Sequence, residues 1–213
     1  LPWWVMKNHH VANLELNGQP LLVNFCELCT GAAAFYPVVE SDRLNLRIWG
    51  HYNGTFFLRD DETGSYWEPF TGRAQEGSLK GTRLMQLPLV QATWAEWITA
   101  YPGSLVWDGT GEPRDGHGSV HWPGSGHMAP RFWNSVRYRD ERLSYNELVL
   151  GVHHEGVAKA YPLASLYGVG PLLHDQIAGA PLVVLSRPQS WVAIALAPVI
   201  GDREVELVLD RDD

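Results

Sequence analysis

Glycine and proline break this chain before any apolar run can grow long. They fill 21 and 14 of the 213 positions, and the runs between them are short. Proline lacks a backbone donor and glycine favours turns, so the pattern points to many short strands rather than long helices. Strands are predicted at Leu21–Phe25, Ala32–Val39, Leu44–Trp49, Thr55–Arg59 and Arg83–Leu87. Further strands are predicted at Leu148–Val152, Leu182–Leu185, Val192–Ala197 and Val205–Leu209. Thr93 and Glu96 are spaced as a capping box for one helix, which Pro102 stops. A second short helix is expected over 162–167, closed by Gly168. The fold class is α+β, mainly β, with short antiparallel strands and one or two short helices.

The two halves are weakly repeated. Gly18-Gln19-Pro20-Leu21-Leu22-Val23 aligns with Gly179-Ala180-Pro181-Leu182-Val183-Val184 at a constant offset of 161. The same offset sets Ala32 against Ala193 and Phe35 against Leu196. It predicts two copies of one turn-strand-turn-strand unit. Between them, 108–135 is rich in Gly, Pro and His and lacks periodicity. A loop of that length inside a domain is usually functional. The expected organisation is a first half over 1–107, an insertion loop over 108–135 and a second half over 136–213. The two halves are expected to form one compact domain.

Cys26-Glu27-Leu28-Cys29 holds the only two cysteines of the chain. Two cysteines cannot build a disulfide scaffold, so the fold must stand on its apolar core. The C-x-x-C spacing lets two sulfurs meet on one turn, for a reversible disulfide or for half of a metal site. The run Pro20–Phe25 leads directly into the pair and gives it a rigid support. At the repeat offset, Arg187 stands for Cys26 and Ser190 for Cys29, so only the first copy carries sulfur.

Further along, Asp61-Glu62-Thr63-Gly64-Ser65-Tyr66-Trp67 is followed by Thr71-Gly72-Arg73-Ala74 and by Gly77-Ser78-Leu79-Lys80-Gly81-Thr82-Arg83-Leu84. Leu87-Pro88, Thr93-Trp94-Ala95-Glu96-Trp97 and Ala158-Lys159-Ala160-Tyr161-Pro162-Leu163 come next. With the cysteine pair after a Gly-x-Pro strand, this series resembles the domain of unknown function 3179 family over roughly residues 10–200. The resemblance implies a bacterial or archaeal protein, often exported, with no assigned reaction. It also implies relatives in which selenocysteine replaces a cysteine of the motif, which favours redox chemistry over a structural metal. The chain departs from that family's commoner Cys-Pro-Leu-Cys by carrying Glu27. A carboxylate beside a thiol disfavours the thiolate, which argues against a strongly acidic nucleophile.

Three functional readings stand side by side. In the first, Cys26 and Cys29 are a thiol–disulfide redox pair that needs no cofactor and acts on a small thiol or disulfide or on a protein partner. In the second, Cys26, Cys29 and His51 bind copper or zinc, since two sulfurs need imidazoles to complete a tetrahedral site. His117, His121 and His127 of the insertion read as solvated loop residues, and the neighbours His9-His10 and His153-His154 point to opposite sides of a strand. In the third, a tryptophan-rich extracellular binding or assembly module carries a structural disulfide. Asp61 is a second-tier catalytic candidate, with Trp49 and Trp67 walling a pocket, although the charged turn at 59–62 also reads as a plain hairpin.

A net charge of −8 and the lack of a basic stripe argue against nucleic acid. No run approaches the roughly 18 apolar residues of a membrane span. The chain opens on Leu-Pro-Trp-Trp. This reads as a trimmed end, and a periplasmic or extracellular location is expected, with a signal or anchor outside this chain.

Overall fold

A computed structural model describes residues 1–27, 29–106, 134–144, 147–188 and 190–209. The structure is mainly β, with several small antiparallel sheets and three short helices among the described residues. No described helix is long and apolar enough to cross a membrane. The chain forms two compact units. The first comprises Leu1–Leu89 and the described part of Leu105–Asn146, and the second Val90–Ser104 and the described part of Glu147–Asp213. Of the insertion at 108–135, all but the last two residues lie outside the described residues, including His117, His121 and His127.

The first unit opens with helix α1 (Trp3–His9) and strands β1 (Val11–Leu16), β2 (Gln19–Cys26) and β3 (Gly31–Tyr36). With β10 (Met85–Leu87) they form a four-stranded sheet in the order β1-β2-β3-β10. Strand β2 is buried on both faces, which is why its sequence is an unbroken apolar run rather than an alternation. Leu22 and Cys26 face one core with Phe35, while Val23 and Phe25 face another with Met6 and Ala12.

A second sheet runs β6 (Leu46–Tyr52), β7 (Thr55–Asp60), β8 (Tyr66–Trp67) and β9 (Ala74–Glu76). Its Leu46, Phe56, Leu58 and Trp67 complete the core that Leu22, Cys26 and Phe35 begin. The side-chain amide of Asn13 joins the two sheets. Its nitrogen donates to the Leu46 carbonyl at 2.8 Å, and its oxygen accepts from the Leu46 N–H at 3.0 Å.

In the second unit, helix α2 (Trp94–Ala100) has Thr93 as its N-cap and Glu96 closing the capping box. The hairpin β11 (Val149–His154) and β12 (Val157–Pro162) leads into helix α3 (Leu163–Val169). This helix ends two residues later than closure at Gly168 would give, because Gly170 at φ 114 is its cap. Strands β13 (Leu172–Ile177), β14 (Ala180–Ser186) and β15 (Ala193–Leu196) form a three-stranded sheet. Lys159 and Tyr161 both donate to Asp175 and so tie β12 to β13.

The repeat is reproduced in backbone register. Strand β1 pairs with β2 from Val11↔Asn24 to Leu16↔Gln19, and β13 pairs with β14 from Leu172↔Leu185 to Ile177↔Ala180. Leu22↔Phe35 likewise corresponds to Val183↔Leu196. Both first hairpins turn on two residues of positive φ, Asn17-Gly18 at 51° and 75° and Ala178-Gly179 at 50° and 80°. That backbone matches the right-handed twist of the strands it joins.

Two local expectations are corrected. Residues 205–209 alternate like a strand but take part in none, and the last hairpin instead pairs β16 (Val199–Ile200) with β17 (Arg203–Glu204). The expected strand Ala32–Val39 is cut at Pro37, which has no N–H for the ladder. Its tail, β4 (Val38–Val39), pairs instead with β5 (Asp42–Arg43).

Candidate functional site

The cysteines sit at the far end of the first hairpin unit. Cys26 is the last residue of β2 and pairs with Gly31, the first of β3. Cys29 lies in the connection between them, which also includes Leu28, outside the described residues. Both are thiols with no disulfide between them. Cys26 is buried, 5% exposed, because strand alternation turns it into the core beside Leu22. Cys29 is partly exposed and packs against the rim of the same core. Thr30, between Cys29 and β3, has φ 57. A β-branched residue there is a backbone outlier, and such outliers cluster at functional sites.

A turn from the second sheet roofs the pair. The Glu68 carboxylate accepts from the Phe70 N–H at 3.1 Å, the Thr71 N–H at 2.6 Å and the Thr71 hydroxyl at 2.5 Å. The turn so held presents Phe70, whose ring meets Phe56 edge-on at 6.4 Å. It also presses on Gly31. A Cβ on Gly31 would come within 2.7 Å of the Phe70 ring and 3.4 Å of the Cys29 Sγ. Only glycine lets the roof and the sulfur close on β3 together.

Asn24 anchors the roof from below. It shares the β2 face of Leu22 and Cys26 and is fully buried. Its Nδ2 donates to the Pro69 carbonyl at 2.9 Å, while its Oδ1 meets no hydrogen-bond donor among the described residues. His10 supports the strand end from the side. Its N–H donates to Met6 and ends α1, and its carbonyl accepts from Phe25 N–H at 2.8 Å. The ring Nδ1 lies 3.3 Å from the Phe25 carbonyl. The imidazole therefore stands where the backbone N–H, spent on the helix, would have closed the ladder.

The Cys29 thiol is raised well above its ordinary range. The hydrogen bond with Cys26 is the main cause and burial the second, while the N–H groups of Gly31 and Cys29 itself work the other way. Cys29 thus holds its proton near the Cys26 sulfur. The leading causes are the partner sulfur and the burial rather than Glu27.

The other sequence candidates lie elsewhere on the first unit. His51 is exposed on β6 opposite Phe56. Asp61 is exposed and forms an ion pair with Arg47 at 2.9 Å. Trp49 is 55% exposed, with the Arg59 guanidinium over its ring at 5.0 Å and Tyr66 edge-on at 6.0 Å. Trp67 is fully buried, and its Nε1 donates to Asp60 at 2.8 Å. Asp60 rather than Asp61 organises the charged turn, accepting from Thr63, Gly64 and Ser65 as well. Burial pushes the Asp60 carboxyl up, but these hydrogen bonds, led by Trp67, outweigh it and hold it below its ordinary range. Among the described residues, no three His, Cys, Asp or Glu side chains gather as a metal site requires.

Sequence reasoning missed Asn24 and the Glu68 turn, and it set His9-His10 on a strand, whereas His9 ends α1 and His10 caps it. The signal for Asn24 was a lone amide inside an apolar run. The turn was legible only as Glu-Pro-Phe-Thr-Gly ahead of a motif already noted.

The model of a family described as a protein of unknown function, DUF3179, matches residues 1–213. The chain belongs to the DUF3179 family. The match extends the resemblance from residues 10–200 to the whole chain. No curated protein and no solved structure matches it. For this member of the family, the chemistry rests on the site itself.

Proposed function

We propose that this protein is a thiol–disulfide redox protein whose working pair is Cys26 and Cys29. One observation carries the reading. The two cysteines lie near each other at the end of a rigid strand, close enough for Cys26 to push up the Cys29 thiol, whereas the identically registered second copy does without them. There Arg187 and Ser190 occupy the equivalent positions, and Ser190 is buried and accepts from the Val192 N–H at 3.1 Å. The hairpin scaffold therefore needs no sulfur, and the thiols of the first copy serve chemistry. Oxidation joins Cys26 and Cys29 and passes two electrons and two protons to an acceptor, and a dithiol reverses it. A location outside the cytoplasm goes with this proposal, since disulfides persist there.

The test is a titration of the couple against a glutathione series, with metal content measured on the same preparation. A midpoint within reach of the glutathione couple, with no bound metal, is expected. Stoichiometric copper or zinc that is lost in Cys29→Ser would overturn the reading. A disulfide resisting reduction below roughly −300 mV would assign the pair a structural role instead.

A further inference from the structure

Around the loop, the first copy of the hairpin unit differs from the second at several polar positions, four of which bear on the sulfurs. His10, Asn24, Cys26 and Cys29 stand where the second copy has Pro171, Leu185, Arg187 and Ser190. The backbone is indifferent to these exchanges. Phe25 N–H donates to the His10 carbonyl at 2.8 Å, and Ser186 N–H to the Pro171 carbonyl at 3.0 Å. Val11↔Asn24 and Leu172↔Leu185 occupy the same place in the ladder. Leucine thus suffices for the strand at the Asn24 position. A fully buried amide whose Oδ1 has no donor is costly by comparison. Its fixed Nδ2, bound to Pro69, leaves Oδ1 as the acceptor on the face shared with Cys26.

Access to the sulfurs adds a second constraint. Cys26 is 5% exposed, and the Phe70 ring closes on Gly31 beside Cys29. A protein disulfide is too bulky to reach the Cys26 sulfur there, and an oxidant of a few atoms is the least hindered. When such an oxidant leaves oxygen on Cys26, the product hydroxyl needs an acceptor inside the core. Same-face neighbours on a strand are about 7 Å apart, so an oxygen carried on the sulfur spans part of the way to Asn24.

We propose that Cys26 is oxidised by a small hydroperoxide and that Asn24 Oδ1 accepts the hydrogen bond of the sulfenic acid so formed. The proposal rests on the redox reading above. The Cys26 thiolate attacks the peroxide oxygen; an S–O bond forms as the O–O bond breaks. The leaving oxygen takes a proton and departs as water or an alcohol. The sulfur has lost two electrons and the peroxide has gained them. Cys29 then attacks the Cys26 sulfur, the S–S bond forms, the S–O bond breaks, and the hydroxyl leaves with the Cys29 proton as water. An external dithiol restores both thiols by exchange and becomes a disulfide itself. The raised Cys29 thiol suits this order, because it keeps its proton until Cys26 has reacted.

The test uses the full chain. Cys29→Ser blocks the second step, so hydrogen peroxide is expected to leave Cys26 as the sulfenic acid, which dimedone then labels on unfolding of the chain, read by mass spectrometry. Asn24→Leu in that background is expected to slow labelling about tenfold, the size of one good hydrogen bond. Asn24→Ser, whose hydroxyl is too short to reach, keeps the measurement decisive if leucine does not fit, and the same slowing is expected. Equal labelling with and without the amide would overturn the proposal. So would a pair that cycles with glutathione while Cys26 gains no adduct, an outcome that spares the redox reading. A pair that does not cycle at all would sink both.

Discussion

Gly31→Ala is the sharpest probe of how the roof is built. The added methyl would lie 2.7 Å from Cε1 and Cζ of Phe70. Carbon atoms prefer about 3.5–4.0 Å, so the ring must retreat by roughly 0.8–1.3 Å. It has little room, being edge-on to Phe56 and carried on the turn that Glu68 fixes. Overpacking of this kind costs about 1–3 kcal/mol. For a chain of this size, a loss of 2 kcal/mol lowers the melting temperature by about 4–8 °C. Urea denaturation followed by tryptophan fluorescence reports it directly, since Trp67 lies in the same core. The midpoint should fall with the slope unchanged. A double-mutant cycle with Phe70→Leu tests the cause. With the ring gone, the alanine should cost under about 0.5 kcal/mol, a coupling of about 1–2 kcal/mol. Alkylation of Cys29 should quicken in the single variant, because the lifted ring uncovers its sulfur. An unchanged stability, or an alanine cost that persists without the ring, would refute this account of the roof.

Two further perturbations address the second unit. Glu96 is held at about 2, below its ordinary 4.5, first by the Thr93 hydroxyl, then by Ser190 and more weakly by Arg187. A carboxylate depressed by folding stabilises fully above pH 4.5 and loses that contribution as the pH falls toward 2. Glu96→Gln should therefore flatten the acid limb of the stability curve between those values, and an unchanged limb in urea titrations at pH 5, 4 and 3 would count against it. Ala178 holds φ 50 at the turn position that asparagine fills in the first copy. Ala178→Asn should raise stability by about 0.5–1 kcal/mol in denaturant melts, because asparagine tolerates the left-handed region better; a loss would show that the turn is strained elsewhere.

The hairpins that turn on glycine were legible because each couples a turn signal to a buried run. Gly18-Gln19-Pro20 and Gly179-Ala180-Pro181 gave β2 and β14 and the offset between copies. Their partners β1 and β13 were not legible. Val11–Leu16 and Leu172–Ile177 carry Asn, Glu, His, Asp and Gln, and only the ladder with β2 or β14 makes them strands. Helix α1 was hidden for a related reason: its N-cap is Pro2, with no side-chain hydrogen bond to announce it. Of the site, the cysteines could be read from spacing alone. Asn24, Phe70 and Glu68 could not, since their roles exist only once the second sheet's turn lies across the first sheet's strand end.

The common register of the two hairpin units makes the cysteine loop a transferable cassette. Cys26↔Gly31 closes the same ladder position that Arg187 reaches through its N–H to the Val192 carbonyl at 3.0 Å. The connections they bracket are equal in length. Exchange of residues 26–30 with 187–191 would leave both strand ladders intact while moving the sulfurs to a loop that lacks the Phe70 lid. The chain thus carries a second setting for the same loop, beside Glu96 instead of Phe70, against which the influence of the first can be measured.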